Sequence, residues 1–405
     1  MLCQYSVKNY KSIRDEITFD MQAASISEHK KSIFICKDQE KFLPIAVLYG
    51  PNGGGKSNVL ESLNALCYFV IQPIELALSH QSHLLKREIT PFLFSSQTKE
   101  NPTEFEIYFR TKRLEYKYVL HVKKNKVVYE HLSKRKLTTH RSFELFTRTP
   151  EHIDLKGDFA KFKVSEDLSL SLSLLTYLGM TYNQNEVVSD IMDWFLKKIR
   201  FINYSDPIGE MFITMSQYDK VKDIILDMMK ELDLDIVDFR IEKKDERYIE
   251  IFTKHYIDGQ SIELSLFEES SGTQKLFGLL PYIVMSLLNG TILVIDELDA
   301  KVHPLLLKYI IHLYTDLSIN QKHAQLIFTS HDISTLNAQN FRRDEIWFVA
   351  KGNRQNSQLY SLVEFKNEDG ESVRKDARFD KQYLEGKYGA DPYLRKIIDW
   401  REING

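Results

Sequence analysis

Short runs of alternating hydrophobic and polar residues dominate the first third of the chain. Each run is the length of a β-strand, and polar or turn-forming residues separate most of them. A wholly apolar run occupies 45–49, and the alternating runs occupy residues 4–7, 9–13, 17–20, 105–109, 114–122 and 126–130. The last three follow one another with no helix-length segment between them, which predicts an antiparallel sheet. Residues 21–42 are polar and loop-like.

Helical periodicity appears in three longer stretches, about 56–82, 165–200 and 216–232, the second with Trp194, Phe195 and Ile199 on one apolar face. The alternation over 236–266 predicts further strands. An apolar helix over 276–288 is then followed by buried strands at 291–295 and 325–330. The fold class is therefore expected to be α/β. No heptad pattern is sustained, so no long coiled coil is predicted.

Four segments follow from this pattern. They are an N-terminal lobe with the antiparallel sheet over 1–150, a mainly helical insert over 151–255, a second α/β lobe over 256–365 and a tail over 366–405. A chain of 405 residues, 43% of them hydrophobic, is long enough to bury cores in both lobes.

Composition narrows the setting of the protein. The net charge of −3 gives no global electrostatic case for nucleic acid or an anionic membrane. Three cysteines without metal-type spacing are typical of free thiols in a reducing compartment. The apolar stretch 276–288 contains Pro281 and is shorter than the about 20 residues of a spanning helix. A cytoplasmic location without a membrane partner is expected.

A phosphate-binding loop follows the apolar run 45–49. The sequence Gly-Pro-Asn-Gly-Gly-Gly-Lys-Ser over residues 50–57 matches G-x-x-x-x-G-K-[ST] at every fixed position. Its backbone N–H groups and the following helix N-terminus favour phosphate, the lysine reaches the β- and γ-phosphates, and the serine ligands Mg²⁺. The expected nucleotide ligands are Gly50, Asn52, Gly53, Gly54, Gly55, Lys56, Ser57 and Asn58.

Two later strand runs end in residues that suit nucleotide hydrolysis. Run 291–295 is followed by Asp296, a candidate Mg²⁺ residue, and Glu297, a candidate base for the attacking water. The second run, 325–330, is followed by His331, which suits contact with a γ-phosphate. Taken singly, an acidic pair at a strand end and a lone histidine are more often structural; their order after the phosphate-binding loop favours the catalytic interpretation.

A Ser-Gly pair begins the helix that precedes Asp296. Ser271, Gly272 and Gln274 lie at its first turn, where a hydroxyl, bare N–H groups and the helix dipole favour an anion. An ordinary helix N-cap is the alternative.

The order of these four motifs resembles the ATP-binding-cassette superfamily. Residues 270–274 stand where that family has Leu-Ser-Gly-Gly-Gln, departing at the first and fourth positions, and 298–304 stand at its D-loop. The resemblance implies a two-lobed ATPase head that binds ATP and Mg²⁺. It also implies a homodimer or higher oligomer, because in the family one subunit's signature completes the other's phosphate-binding loop.

Within that superfamily nearly the whole chain is similar to the compact SMC-like ATPases of the AAA15/AAA21 group, related to OLD-family and abortive-infection proteins. The similarity rests on 6–15, 49–58, 296–299 with 302–306, 343–349 and 383–390. It implies an anti-phage role beside a separate, co-encoded effector. Only 74 residues follow His331, too few for the nuclease domain of OLD proteins, so effector activity is expected from a partner.

Other features leave alternatives open. The family's glutamine-containing loop falls near 174–184, where Met180 stands at the expected position and Gln184 or Gln97 is a substitute. A RecF-like DNA-repair ATPase is the main alternative. A transporter subunit is disfavoured because Ser57 and Ser271 lie 214 positions apart.

A basic stretch bears on the choice between these alternatives. Residues 110–148 contain twelve Lys or Arg against three acids, with aromatic residues interleaved. Such a stretch could bind DNA or RNA. The charged outer faces of hairpins, or a surface for an acidic partner protein, would give the same pattern.

Overall fold

The computed structural model describes residues 1–79, 88–165, 167–202, 219–232, 234–243, 249–367 and 369–390. Their strands are β1 (Leu2–Lys8), β2 (Ile17–Asp20), β3 (Phe34–Ile35), β4 (Lys41–Phe42), β5 (Ile45–Tyr49), β6 (Thr103–Arg110), β7 (Leu114–Lys123), β8 (Lys126–Lys136), β9 (Ser142–Arg148), β10 (Ile153–Leu155), β11 (Ile199–Ile202), β12 (Asp238–Lys243), β13 (Ile249–Ile257), β14 (Gln260–Ser265), β15 (Ile292–Ile295), β16 (Gln325–Thr329), β17 (Ile346–Lys351) and β18 (Ser357–Ser361).

The helices of these residues are α1 (Lys56–Ser79), α2 (Ser96–Lys99), α3 (Leu174–Thr181), α4 (Glu186–Asp193), α5 (Asp219–Glu231), α6 (Ser271–Asn289), α7 (Pro304–Thr315) and α8 (Phe379–Leu384). A π-helical turn, Trp194–Lys198, follows α4. The longest described helix, α1, has 24 residues, so the described chain contains no long coiled coil.

Two large sheets organise the fold. The first has seven antiparallel strands in the order β10-β9-β8-β7-β6-β1-β2, which confirms the antiparallel sheet predicted from the sequence. The second has six strands in the order β11-β15-β16-β5-β17-β18 and is parallel except for β18. All five residues of β5 are buried, as expected for a central strand covered on both faces. The α/β, two-lobed prediction is confirmed.

Each face of the parallel sheet packs into its own hydrophobic core. Ala46 and Leu48 of β5 contribute to a core shared with the antiparallel sheet, α1, α3 and α4. Ile45, Val47 and Tyr49 face the other core, which is formed with α5, α6 and α7. The central strand thus holds the two lobes together.

One described helix, Lys56–Ala77 within α1, has the length and apolar composition of a membrane span, and 44% of its apolar stretch is buried. Its side chains Val59, Leu63, Leu66 and Val70 lie in the first core. This accounts for its apolar character as that of a core helix.

Some local predictions were wrong. Residues 9–13 form a turn closed by a Tyr10–Ile13 bridge, because Asn9 and Lys11 have positive φ angles of 57° and 45° that no strand accommodates. The helix predicted to run to residue 200 ends at the π-helical turn, and Ile199 starts β11, which pairs with β15. The predicted segments 80–82 and 216–218 lie outside the described residues.

The segment 151–255 holds both helices and strands. Besides α3, α4 and α5 it contains β11, which completes the parallel sheet, and β12 and β13, which form a third antiparallel sheet with β14. The strands predicted within 236–266 are therefore present. The boundaries of the four segments stay a prediction.

Gln325 of β16 links the two sheets through a fully buried amide. Its Oε1 accepts from Leu2 N–H at 2.7 Å, and its Nε2 donates to Leu2 O and Leu43 O, both at 3.1 Å. One side chain thus satisfies three backbone groups, two of them in the first strand of the antiparallel sheet. A buried polar group of this kind is costly to leave without a partner.

Gln325→Leu should lower the free energy of unfolding by about 2–4 kcal/mol, because it leaves these backbone groups in the core without a hydrogen-bond partner. Chemical denaturation of the purified protein measures the change. The same substitution at exposed Gln321 should change it by less than about 0.5 kcal/mol. Equal effects at the two positions would contradict the assigned role of Gln325.

Candidate functional site

Three polar loops meet at one edge of the parallel sheet. The strands β15, β16 and β5 are adjacent and parallel, so the loops after Ile295, Thr329 and Tyr49 leave the sheet on the same side. Ligands bind at this edge in open α/β sheets. The sequence-predicted residues 50–58, Asp296, Glu297 and His331 are brought together here by the topology.

The phosphate-binding loop lies between β5 and α1. Lys56 is buried, and its ammonium donates to Gly50 O at 2.8 Å and Pro51 O at 3.3 Å. Burial lowers the pKa of Lys56, while the carboxylates of Asp296, Glu297 and Asp299 oppose this shift. Val349 lies in β17, and a Cβ atom at Gly50 would lie 2.3 Å from its carbonyl oxygen. Only glycine therefore lets the loop pass β17.

A threonine that the sequence reading missed holds the acidic pair. Thr329 Oγ1 donates to Asp296 Oδ1 at 2.6 Å and accepts from the backbone N–H of Glu297 at 2.7 Å. Thr329 is fully buried at the end of β16. The available signal for Thr329 in the sequence was a hydroxyl residue at the end of an otherwise apolar run. Asp296 and Ser57 line the same pocket, and a hydroxyl with a carboxylate is a donor set that suits Mg²⁺.

Glu297 presents its side chain to solvent. It has φ of 53°, a left-handed conformation that is uncommon for a residue with a side chain. Among the described residues its carboxylate makes no hydrogen bond or ion pair. Backbone bonds hold the turn, including Ala300 N–H to Glu297 O at 3.1 Å. The carboxylate is thus held at the sheet edge and left open.

His331 is also exposed, and its backbone is fixed by Asp299. The His331 N–H donates to Asp299 Oδ2 at 2.9 Å, whereas Asp299 Oδ1 is buried and has no hydrogen bond. The loop after β15 and the loop after β16 are therefore tied to each other. The imidazole itself faces outward from the same edge of the sheet.

The Ser-Gly motif starts α6 as predicted, with a different cap residue. Ser270 caps the helix by accepting from Thr273 N–H at 3.1 Å, which leaves Ser271 exposed at the first helical position. Gln274 Nε2 turns back to donate to Glu269 O at 2.8 Å and Phe267 O at 3.2 Å. A Cβ atom at Gly272 would lie 3.6 Å from Lys301 O in the D-loop segment.

The structure does not join every predicted residue to the site. In the described part of the chain, no hydrogen bond links Ser271 to residues 50–58. Met180 on α3, Gln184 before α4 and Gln97 on α2 are all exposed, and none is hydrogen-bonded to the phosphate-binding loop. The glutamine of the family's loop therefore stays unassigned.

Asn52 is exposed at the tip of the loop, and Asn58 faces a neighbouring segment. Asn58 Nδ2 donates to Ser12 Oγ at 2.7 Å, and Ser12 in turn contacts Ser357 Oγ at 2.7 Å. Ser12 belongs to the turn after β1, and Ser357 begins β18. Sequence reasoning gave Ser357 no role, since nothing local to it marks the contact.

Most of the basic stretch 110–148 is neutralised. Eight of its twelve Lys and Arg residues make ion pairs: Arg110, Arg113, Lys117, Lys123, Lys124, Lys134, Arg135 and Arg148. Many of the acidic partners, such as Glu40, Glu100 and Asp158, lie outside the stretch. Nucleic-acid binding stays a prediction, with less free positive charge than the sequence implied.

Residues 45–337 match the family described as "AAA domain, putative AbiEii toxin, Type IV TA system". The match spans more than two thirds of the chain and includes every site segment from the phosphate-binding loop to His331. The chain belongs to this AAA family. The AAA21 resemblance drawn from the motifs is thereby confirmed, and the family supports an ATP-binding protein. The individual ligand residues stay a prediction.

Solved structures similar to this AAA protein include SMC heads. The SMC head domain of Thermotoga maritima is 14% identical with a TM-score of 0.41, and the match covers 89% of this chain and 98% of that one. A Pyrococcus yayanosii Smc head with coiled coil and joint is 10% identical with a TM-score of 0.43, covering 89% and 97%. No curated protein matches the chain.

Thr329→Val should weaken binding of ATP with Mg²⁺ about 10-fold, because Asp296 loses a charge-assisted hydrogen bond that orients it. Binding of ATP without Mg²⁺ should change less than about twofold. Isothermal titration with and without Mg²⁺ separates the two. Thr315→Val is the matched control, since that hydroxyl bonds only within α7. A similar loss in both titrations would exclude a metal-orienting role.

Proposed function

We propose that this protein is an ATPase that hydrolyses ATP to ADP and phosphate. The observation that carries the proposal is the meeting of three sequence-distant segments at one sheet edge. There Ser57 and Asp296 line one pocket, Thr329 braces Asp296, and Glu297 stands open beside them. This combination of lysine, hydroxyl and paired carboxylates is what phosphoryl transfer to water requires.

Each residue has a defined part in the proposed reaction. Lys56 and the loop N–H groups would bind the phosphates, with Lys56 exchanging its carbonyl contacts at Gly50 and Pro51 for phosphate oxygens. Ser57 and Asp296 would hold Mg²⁺, which supplies positive charge to the phosphate oxygens. Glu297 would orient and deprotonate the attacking water, and His331 would donate to the terminal phosphate.

Glu297→Gln should reduce turnover by at least about 100-fold while ATP remains bound, since the amide keeps the side-chain size but cannot accept the proton. Phosphate release and nucleotide content after incubation with ATP measure both effects. Glu16→Gln, an exposed change elsewhere, should leave turnover unchanged. Undiminished hydrolysis in Glu297→Gln would remove that residue from the proposed role.

We further propose that closure requires a second copy of the chain. Ser271 and Gly272 are accessible at the N-terminus of α6 and form no hydrogen bond with the phosphate-binding loop among the described residues. Exposed hydroxyl and N–H groups at a helix start suit a phosphate of another chain. A homodimer, or a higher homo-oligomer, with two ATP molecules between its subunits follows from this arrangement.

Ser271→Arg should leave ATP affinity within about twofold of wild type and abolish ATP-dependent dimerisation, because a bulky side chain would fill the gap between subunits. Light scattering with Glu297→Gln as background detects the dimer. Ser142→Arg on β9 makes the same change at another exposed position and should still dimerise. If Ser271→Arg dimerised at the same ATP concentration as the wild type, the proposed dimer with ATP between its subunits would be contradicted.

The biological role we propose is that of a cytoplasmic sensor or regulator in anti-phage defence, acting with a separate, co-encoded effector. The family description, which names an AbiEii toxin and a Type IV TA system, supports this role. Cells carrying the protein with its neighbouring genes should survive phage challenge less well with Ser271→Arg than with Ser142→Arg. Equal survival would count against the role.

A further inference from the structure

Two serine hydroxyls from opposite ends of the chain meet beneath the phosphate-binding loop. Ser357 Oγ donates to Gly54 O at 2.6 Å, and it lies 2.7 Å from Ser12 Oγ. Ser12 Oγ accepts from Asn58 Nδ2 at 2.7 Å. Ser357 N–H also donates to Ser12 O at 2.7 Å, so the two residues are joined through main chain and side chain.

The direction of each hydrogen bond follows from donor counting. A carbonyl oxygen only accepts, so Ser357 uses its single hydroxyl proton on Gly54 O. Ser12 must then be the donor between the two serines, and Asn58 donates to Ser12. The hydrogen bonds therefore all run in one direction, from Asn58 through Ser12 and Ser357 to Gly54.

This series of hydrogen bonds fixes the orientation of the Gly54–Gly55 peptide in the loop. Because a trans peptide is planar, its C=O and N–H point in opposite directions. Holding Gly54 O against Ser357 therefore turns the N–H of Gly55 away from the serines. Among the described residues that N–H has no hydrogen-bond acceptor. It is one of the loop N–H groups that a phosphate would use.

The packing of the two hydroxyls also explains the glycine at position 55. A Cβ atom there would lie 2.0 Å from Ser357 Oγ and 2.7 Å from Ser12 Oγ, and Gly55 has φ of 108°. Ser357 is 3% exposed. The two hydroxyls thus occupy the position in which a side chain of residue 55 would lie, directly against the loop.

We propose that Ser12 and Ser357 are positioning residues that preset the Gly54–Gly55 peptide for phosphate binding. They touch the loop from its outer side and would not contact the reacting atoms. The inference rests on the proposed ATP-binding function and adds to it a brace from β18, about 300 residues away from the loop in sequence. Disruption of the brace should therefore affect nucleotide affinity more than turnover at saturation.

Ser357→Ala should raise the Kd for ATP about 10-fold, since Gly54 O loses its buried donor and the peptide is released. kcat at saturating ATP should stay within about twofold, while KM rises with Kd. Titration calorimetry and steady-state phosphate release measure the two quantities. Ser357→Thr, which keeps the hydroxyl, should restore most of the affinity.

Ser361→Ala is the matched control. Ser361 lies on the same strand, is 1% exposed, and its hydroxyl donates to Arg343 O at 3.3 Å, remote from the loop. It should cost similar stability with an unchanged Kd. If Ser357→Ala does not fold, Ser12→Ala serves instead. It should raise the Kd about threefold, because it removes the hydrogen bonds of Ser12 Oγ with Asn58 and Ser357 but keeps the direct bond from Ser357 to Gly54 O.

The outcomes separate this inference from the function on which it rests. An unchanged Kd in Ser357→Ala, or in Ser12→Ala where that is used, together with lost binding in Lys56→Ala, overturns the brace and leaves the ATPase proposal standing. Wild-type ATP binding by Lys56→Ala overturns both. A Kd increase in Ser357→Ala that is absent in Ser361→Ala supports the brace.

Discussion

Parallel pairing of β5 with β16, and of β16 with β15, is the constraint on which the rest of the structure depends. It forces three chain segments that are far apart in sequence to end at the same sheet edge. Burial of these apolar strands on both faces provides the free energy that holds polar loops together there. The loops then need only short local contacts, such as those of Thr329, to reach a defined geometry.

Most features that depend on the positions of the strands could be predicted from the sequence. The positions of the phosphate-binding loop and the carboxylates could be read from the sequence because each follows an apolar run, and in the structure each follows a buried strand. Their roles stay a prediction. The strand assigned to residues 9–13 was wrong because two of its residues take left-handed backbone angles that their side chains do not signal. Ile199 was assigned to a helix, because its pairing with β15 is not visible locally.

Contacts between distant segments account for what sequence reading missed. Ser357 and Thr329 owe their importance to partners 303 and 33 positions away, and no spacing rule marks such pairs. The free positive charge of the basic stretch could not be predicted for the same reason. Counting charges within 110–148 overlooked the acids that other strands and loops bring beside it, such as Glu100 and Glu40.

The position of Glu297 links the chemistry to assembly. A carboxylate that activates water acts best where bulk solvent is excluded and the surrounding dipoles are fixed. Here the backbone of Glu297 is held firmly in a left-handed turn, while its side chain is open to solvent. In the proposed reaction, one chain would therefore supply an oriented base without the cover that would make it effective. In the proposed dimer, the exposed start of α6 would provide that cover from a second copy of the chain. Under that proposal, hydrolysis would depend on contact between two subunits, because neither chain alone covers its own Glu297.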